Sequence, residues 1–485
     1  MDTIAFAYES VAYPTAVVSH MTPDRIRAGG LLHGWSAPDP RTASVLEIGC
    51  GDGLNIIGMA QTSPDGDHAG FDLAEAPILR GQALIEAARL TNVSLAVGDI
   101  LTWPLDGKQY DYIVCHGVYA WVPKAVQDAL LRLIGARLAP GGVAYVSYDA
   151  LPGAAAKVEI QRRIVRDTAH ITSMIERTKA AAELLATFAR HQLEGSRLKP
   201  QFDNLARTLP SFDAAYFFHD WLAENYAPPS LGSFAAAAGT HGLKVAGDAG
   251  LTDLFTHDLD ADALGTLGAP GDWAARGEAL DFLRGAQMFR RTYLVRADAP
   301  PPAETRIDTL TFSFDGSRDE VTDEATGARR TRYTGELGAF LIPTTTAQER
   351  LMTALWNARP GEATYAQLAD AAGDETDTVL RRVCALGLVA AHAGPQRYTL
   401  TPGERPLAAP LIRAMFESVP YAITLRHARL VPNEPPTADF LRLCDGTRDR
   451  QQLAAAMSEL AGTDIPVARI GEALADIAGR RVFLS

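Results

Sequence analysis

Between residues 44 and 148, short apolar runs alternate with amphipathic stretches of helical period, a pattern that predicts β-α-β units around a parallel sheet. Ser44–Gly49 reads as a buried strand, followed by a glycine-rich turn and a helix over Gly53–Gln61. His68–Leu73 predicts a second strand, Glu75–Leu90 a long helix, Val93–Gly98 a third strand and Tyr110–His116 a fourth. Lys124–Leu138 predicts a helix ended by Pro140-Gly141-Gly142, and Val143–Tyr148 a fifth strand.

The period changes beyond this block. Ala154–Ala189 is helical and rich in Ala, Arg and Ile, and helical patterns return at Ala214–Ala223 and Ser230–Ala238. Gly242–Ala246 and Phe289–Arg296 are apolar strand candidates, placed to close the sheet as an antiparallel hairpin. The run from Asp298 to Ala303, with three consecutive prolines, predicts a linker. Strands are then expected at Thr309–Phe314 and Arg329–Tyr333, and helices at Ala347–Asn357, Tyr365–Ala371 and Thr376–Leu386. With Leu388–Ala391 and Arg397–Thr401 as a small β-wing, the last three helices form a winged-helix pattern, faintly echoed at Ala438–Arg480. The expected division is an N-terminal segment at 1–43, a core at 44–153, a helical insertion at 154–240, closing strands at 241–297 and a C-terminal domain at 304–485.

Composition narrows the partners. With 47% hydrophobic and 21% charged residues, the 485-residue chain can bury several cores. The formal charge of −13 disfavours a polyanionic partner, since phosphate binding needs clustered Lys and Arg. No apolar run is long enough to cross a bilayer, and no basic segment precedes a hydrophobic one at the N-terminus, so a cytoplasmic location is expected. Cys50, Cys115, Cys384 and Cys444 lie far apart inside apolar segments, which predicts buried free thiols and neither a metal site nor a disulfide framework.

The candidate chemistry sits at the predicted strand ends. In Val45-Leu-Glu-Ile-Gly-Cys-Gly-Asp-Gly53 an apolar strand delivers the chain to Gly49, Gly51 and Gly53, where bare backbone permits close approach by a ligand. Glu47 precedes them, and the following helix start, with Asn55 in its first turn, offers free N–H groups suited to a carboxylate. This G-x-G-x-G spacing with its leading acid is the methyltransferase form, distinct from the G-x-G-x-x-G of dehydrogenases. Asp72, followed by Leu73, stands about 20 residues on, where an acid accepts ribose hydroxyls. Asp99, followed by Ile100, ends the third strand and is positioned to accept an adenine amino group. These residues together predict an S-adenosylmethionine (SAM) site. Asp72 or Asp99 alone is more often a helix N-cap or turn residue; it is their joint placement with the glycines that favours a ligand.

The fourth strand ends in Cys115-His-Gly-Val-Tyr-Ala-Trp-Val-Pro123, without the Asn/Asp-Pro-Pro-Tyr common in base methyltransferases. Two readings stand for Tyr119 and Trp121: an aromatic cleft beside the methyl group, or packing at the sheet edge. His116 is a candidate proton acceptor or a structural hydrogen-bonding residue.

In LEIGCGDGLN (46–55), FDL (71–73), YDYIVCHGVYAWVP (110–123), SYDALPG (147–153), FFHDWLAENYAPPSLGSF (217–234) and LDFLRGAQMFRRTYLVR (280–296), the chain resembles the bacterial, rickettsial-type protein lysine methyltransferases. Coverage is strong over 1–153, intermittent to 297 and loose beyond. The resemblance implies a Rossmann-like class I methyltransferase sheet of α/β class with a helical insertion, followed by a C-terminal α+β region with winged-helix character. It implies SAM as cofactor, with the opening segment, including Tyr8 and Tyr13, over it, and transfer to lysines of a protein. Asp149 and Pro229-Ser-Leu depart from the family pattern. A small-molecule or modified-peptide acceptor is the first rival, although the insertion favours a large acceptor. The second rival is a winged-helix nucleic-acid-binding regulator, suggested by Arg381 and Arg382 and opposed by the acidic balance. Winged helices also dock proteins, so a homodimer through the C-terminal domain is one expectation.

Overall fold

The computed structural model describes residues 16–209, 214–254, 256, 259–269, 271–301, 306–322, 327–336, 338–394, 397–432 and 434–485. Tyr8 and Tyr13 lie outside the described residues. The central element is a seven-stranded sheet in the order β3-β2-β1-β4-β5-β7-β6. Its strands are β1 (Ser44–Ile48), β2 (Asp67–Asp72), β3 (Val93–Val97), β4 (Tyr110–Cys115), β5 (Leu138–Asp149), β6 (Leu243–Asp248) and β7 (Phe289–Arg296). β1 to β5 run parallel, and β7 lies antiparallel between β5 and β6.

Alternating strand residues sort onto two faces. Val45, Tyr112, Val114, Val143 and Tyr145 share one core with Ile56, Ile57 and Met59 of the helix Leu54–Thr62. Leu46, Ile48, Ile113, Ala144 and Val146 share the other with Leu130, Leu133 and Ile134 of the helix Lys124–Arg137. β5 begins earlier than predicted, at Leu138, and carries Pro140-Gly141-Gly142 into its first residues. The turn signal is overridden there by pairing of β5 with β4, whose register shifts between Tyr110 and Tyr112.

The insertion, with helices at Ala155–Thr168, Met174–Arg190, Lys199–Thr208 and Ala214–Leu222, has a separate small core around Ile164, Ala181, Leu185, Phe202 and Trp221. The helix Trp273–Arg284, which the sequence pattern did not single out, precedes β7.

The C-terminal residues form a mixed α and β region. Helices at Thr346–Ala358, Tyr365–Ala372 and Thr376–Ala385 match the predicted three. The wing does not form as expected. Ala390–His392 pairs with Thr311–Ser313, which also pairs with Ala363–Thr364, whereas Tyr398 bridges to Leu484. A strand from far upstream takes the edge that a wing would have used. The helix Pro410–Ser418 packs on the helix Glu75–Ala88, so Leu411, Ile412 and Met415 join the core of one sheet face. All four cysteines are buried free thiols. No described helix is long and apolar enough to cross a membrane.

Candidate functional site

At the end of β1 the chain turns through Gly49, Gly51 and Gly53, with φ of 69°, 57° and 71°, in the left-handed region that glycine adopts without steric cost. Their surroundings differ. A Cβ on Gly49 would come within 2.6 Å of Val118, and one on Gly53 within 2.6 Å of Leu95, so both are tight packing positions. A Cβ on Gly51 would meet nothing within 4 Å. Open space lies above Gly51, and this is where the loop can receive a ligand.

Asp72 borders that space. Its carboxylate accepts from the Gly51 N–H at 2.8 Å and from the Ala74 N–H at 2.9 Å, tying the end of β2 to the glycine turn. Glu47 is buried and accepts from the Ile56 N–H at 3.0 Å, one of the orphan donors of the first helical turn. Its role in this structure is to anchor the helix behind the loop. Burial pushes the Glu47 carboxyl well above its usual range, and Asp52 and Asp72 add to the shift. Burial also raises Asp72 against the N–H bonds that it accepts. Three acids thus crowd one turn of bare backbone. A ligand carrying a cationic centre relieves that crowding, and an α-carboxylate suits the helix start, so the residues present fit SAM.

Asp99 follows β3 and accepts from the Leu101 N–H at 2.9 Å within its own turn. Leu73 is 38% exposed beside Asp72, and Ile100 packs against the sheet core. Trp103, which no motif marked, stacks on Phe71 with ring centroids 3.8 Å apart. Asn55 has several partners within the protein. It is 7% exposed, accepts from the Val18 N–H at 2.9 Å, donates to the Ala16 carbonyl and lies 2.9 Å from His427 Nε2. It fastens the N-terminal segment and the C-terminal region to the helix start.

At the end of β4, His116 Nδ1 lies 3.0 Å from the Tyr145 hydroxyl and 2.9 Å from Ser147 Oγ, which accepts from the Gly117 N–H. Burial and the nearby Arg291 lower the His116 pKa to about 4. Tyr119, at 1% exposure, packs against Tyr148 and Phe234 inside the core. Trp121 faces a cluster of aromatic and charged side chains. Its ring stacks on Tyr226 with centroids 4.4 Å apart. The Lys157 ammonium lies 4.8 Å from the Trp121 ring centroid, 5.1 Å from Tyr226 and 5.9 Å from Trp221. It donates to Asp149 at 2.9 Å and to Asp220 at 3.2 Å, and the Tyr226 hydroxyl donates to Asp149 at 2.6 Å. Asp149 ends β5 and pairs in register with Phe289, whose ring meets that of His116, so this group adjoins the end of β4.

Sequence reasoning missed Lys157, Asp220, Trp221 and Tyr226 as site residues. Asp220, Trp221 and Tyr226 lie within the 217–234 segment that carries the resemblance, but Lys157 and Asp149 come from more than 60 residues upstream, and no local spacing joins the two groups. Arg381, one of the two arginines behind the nucleic-acid reading, donates to the Leu32 carbonyl at 2.8 Å.

Two family models match: a methyltransferase domain over residues 45–142 and a predicted methyltransferase regulatory domain over 213–296. An uncharacterized Rickettsia prowazekii protein, RP028, is 34% identical over 225 residues, covering 46% of this chain and 89% of that protein. A second from the same organism, RP789, is 28% identical and covers 60% of this chain; the chain spans 53% of its length. A third, sll1526 of Synechocystis, is 25% identical, with 57% of its length spanned. Among solved structures, PKMT2 from Rickettsia typhi in complex with AdoHcy superposes with a TM-score of 0.79 over 98% of this chain and 100% of that one, at 20% identity.

Proposed function

The chain belongs to the SAM-dependent methyltransferases that join a methyltransferase domain to a predicted regulatory domain, and from that premise we propose that it N-methylates lysine side chains of a protein or peptide. The observation that carries this reading is the juxtaposition of two sites along the same strand ends. One is the open glycine turn with its acids; the other is an aromatic and carboxylate pocket that holds an alkylammonium. The fold shared with PKMT2 of Rickettsia typhi, solved in complex with AdoHcy, supports the cofactor part of this reading, and the helical insertion, whose residues Asp220, Trp221 and Tyr226 extend the pocket outward, supports a large acceptor.

SAM supplies an electrophilic methyl on a sulfonium; the protein binds, orients and excludes water. In this reading Gly51 and Asp72 would hold the nucleoside, with Leu73, Asp99 and Ile100 beside its base. An acceptor lysine must lose a proton, which at pH 7 costs about 4–5 kcal/mol from its free pKa. His116, neutral and with a conjugate acid near pKa 4, is too weak a base to keep that proton. Its bonds to Tyr145 and Ser147 suit a positioning role. The C-terminal region is read as a docking surface for the protein acceptor or for a second copy of the chain.

Incubation with labelled SAM and lysine-containing peptides, followed by mass mapping, should place the methyl on lysine Nζ. Label found solely on carboxyl, hydroxyl or small-molecule products would overturn the lysine reading and favour the small-molecule rival.

A further inference from the structure

Lys157 is the third residue of the helix Ala155–Thr168, in the first turn, where the helix dipole opposes a positive charge. Its ammonium is nevertheless enclosed, 13% exposed, by two carboxylates and three aromatic rings. Those groups come from four separate places: the turn Tyr119–Trp121, the end of β5, the helix Ala214–Leu222 and the loop carrying Tyr226. Such a convergence reads a cation by its N–H bonds and by the faces of the rings. The carboxylates also outnumber the ammonium. Burial keeps the Asp220 carboxyl above its usual range even though Lys157 pulls it down, and Asp149 pushes it up further.

We propose that Trp121, Trp221, Tyr226, Asp149 and Asp220 form the receiving site for the primary ammonium of an acceptor lysine, and that Lys157 is a resident stand-in which the acceptor displaces. This rests on the lysine-methylating reading above and names the subsite within it. Lys157 reproduces the four-carbon stem and the head group of a substrate lysine. Its side chain can swing out to water, where its charge no longer opposes the helix dipole, while the incoming ammonium inherits the bonds to Asp149 and Asp220. The docked acceptor is protonated, so this is a recognition step that precedes deprotonation.

The test uses the full chain, without SAM, and n-butylammonium as probe, with sodium chloride at equal ionic strength as control. Binding is followed by tryptophan fluorescence. Lys157→Ala should bind the probe at least about tenfold more tightly than the wild type, and adding Trp121→Leu should remove that gain. Butyltrimethylammonium, which has no N–H to offer the carboxylates, should bind Lys157→Ala about tenfold more weakly than n-butylammonium. Equal affinity in wild type and Lys157→Ala, indifference to Trp121→Leu, or tighter binding of the quaternary probe would each overturn the assignment. Lys157→Met keeps the aliphatic stem and serves if Lys157→Ala fails to fold. Failure of both would make Lys157 an indispensable ion-pair partner and sink the proposal. Because no methyl transfer is measured, lack of probe binding alongside peptide methylation removes this inference alone. Probe binding without lysine methylation removes the functional reading instead.

Discussion

Gly51 and Gly53 share a left-handed backbone, yet a single methyl group should act on them in different ways. Gly51→Ala places its Cβ in open space, so the expected stability loss is about 1 kcal/mol from φ alone, with SAM affinity falling at least about tenfold. Gly53→Ala drives its Cβ into Leu95 and should cost more stability, about 2 kcal/mol or more, read as a lower urea midpoint. Calorimetric titration with S-adenosylhomocysteine checks the first; normal affinity in Gly51→Ala would show that the ligand lies elsewhere. At His116, a general-base role would make substitution cost about 100-fold or more in turnover. His116→Gln, which keeps a hydrogen-bonding head for Tyr145 and Ser147, should instead stay within about tenfold of wild type. A loss of several hundredfold in kcat would restore His116 as the base.

Among the elements, the helix Leu54–Thr62 depends on a contact that its own sequence does not contain. Its third residue, Ile56, donates its N–H to Glu47, nine positions earlier at the end of β1. Glu47→Ala leaves that buried donor unpaired and should cost about 1–3 kcal/mol, measured as a shift in unfolding midpoint. Glu47→Gln retains an acceptor oxygen and, since burial already disfavours the charge, should stay within about 1 kcal/mol. Equal losses in both variants would mean that the carboxylate charge, and not the hydrogen bond, is what matters. The strand-end motifs were legible because β1 to β4 are short, apolar and followed at once by the glycines and acids they position. The 310 turn Tyr119–Trp121 was not. Two aromatic residues one apart there point opposite ways, Tyr119 into the core and Trp121 toward Lys157, and only the surrounding helices decide which faces solvent.

The whole molecule should be acid-labile through its buried histidines. His68, His116 and His427 are each held near pKa 4, chiefly by burial, against 6.5 for the free side chain, and His20 shifts the same way. Below about pH 6.5 the unfolded chain binds protons that the folded one refuses. The stability these groups support is therefore complete above about 6.5 and drains away as pH falls toward 4, by up to about 3 kcal/mol per histidine. His33 acts in the opposite sense: burial lowers its pKa, but the bond and charge of Asp253 outweigh that and raise it, so its contribution is lost as pH rises. Melting temperature should fall steadily between pH 7 and about 4.5; a flat or rising profile would contradict the burial assigned to these rings. His427 is informative here, because it couples the C-terminal region to Asn55 at the glycine turn. The sequence by itself determined the parallel sheet, the glycine turn and the acids at the strand ends, because period, turn chemistry and spacing act over a few residues. Only the tertiary structure decided that Asn55 is a clamp, that Thr311–Ser313 displaces a wing strand, that the helix Pro410–Ser418 covers the sheet, and that Lys157 sits among Trp121, Tyr226, Asp149 and Asp220. Those outcomes depend on which distant surfaces bury one another, and local propensity carries no record of that competition.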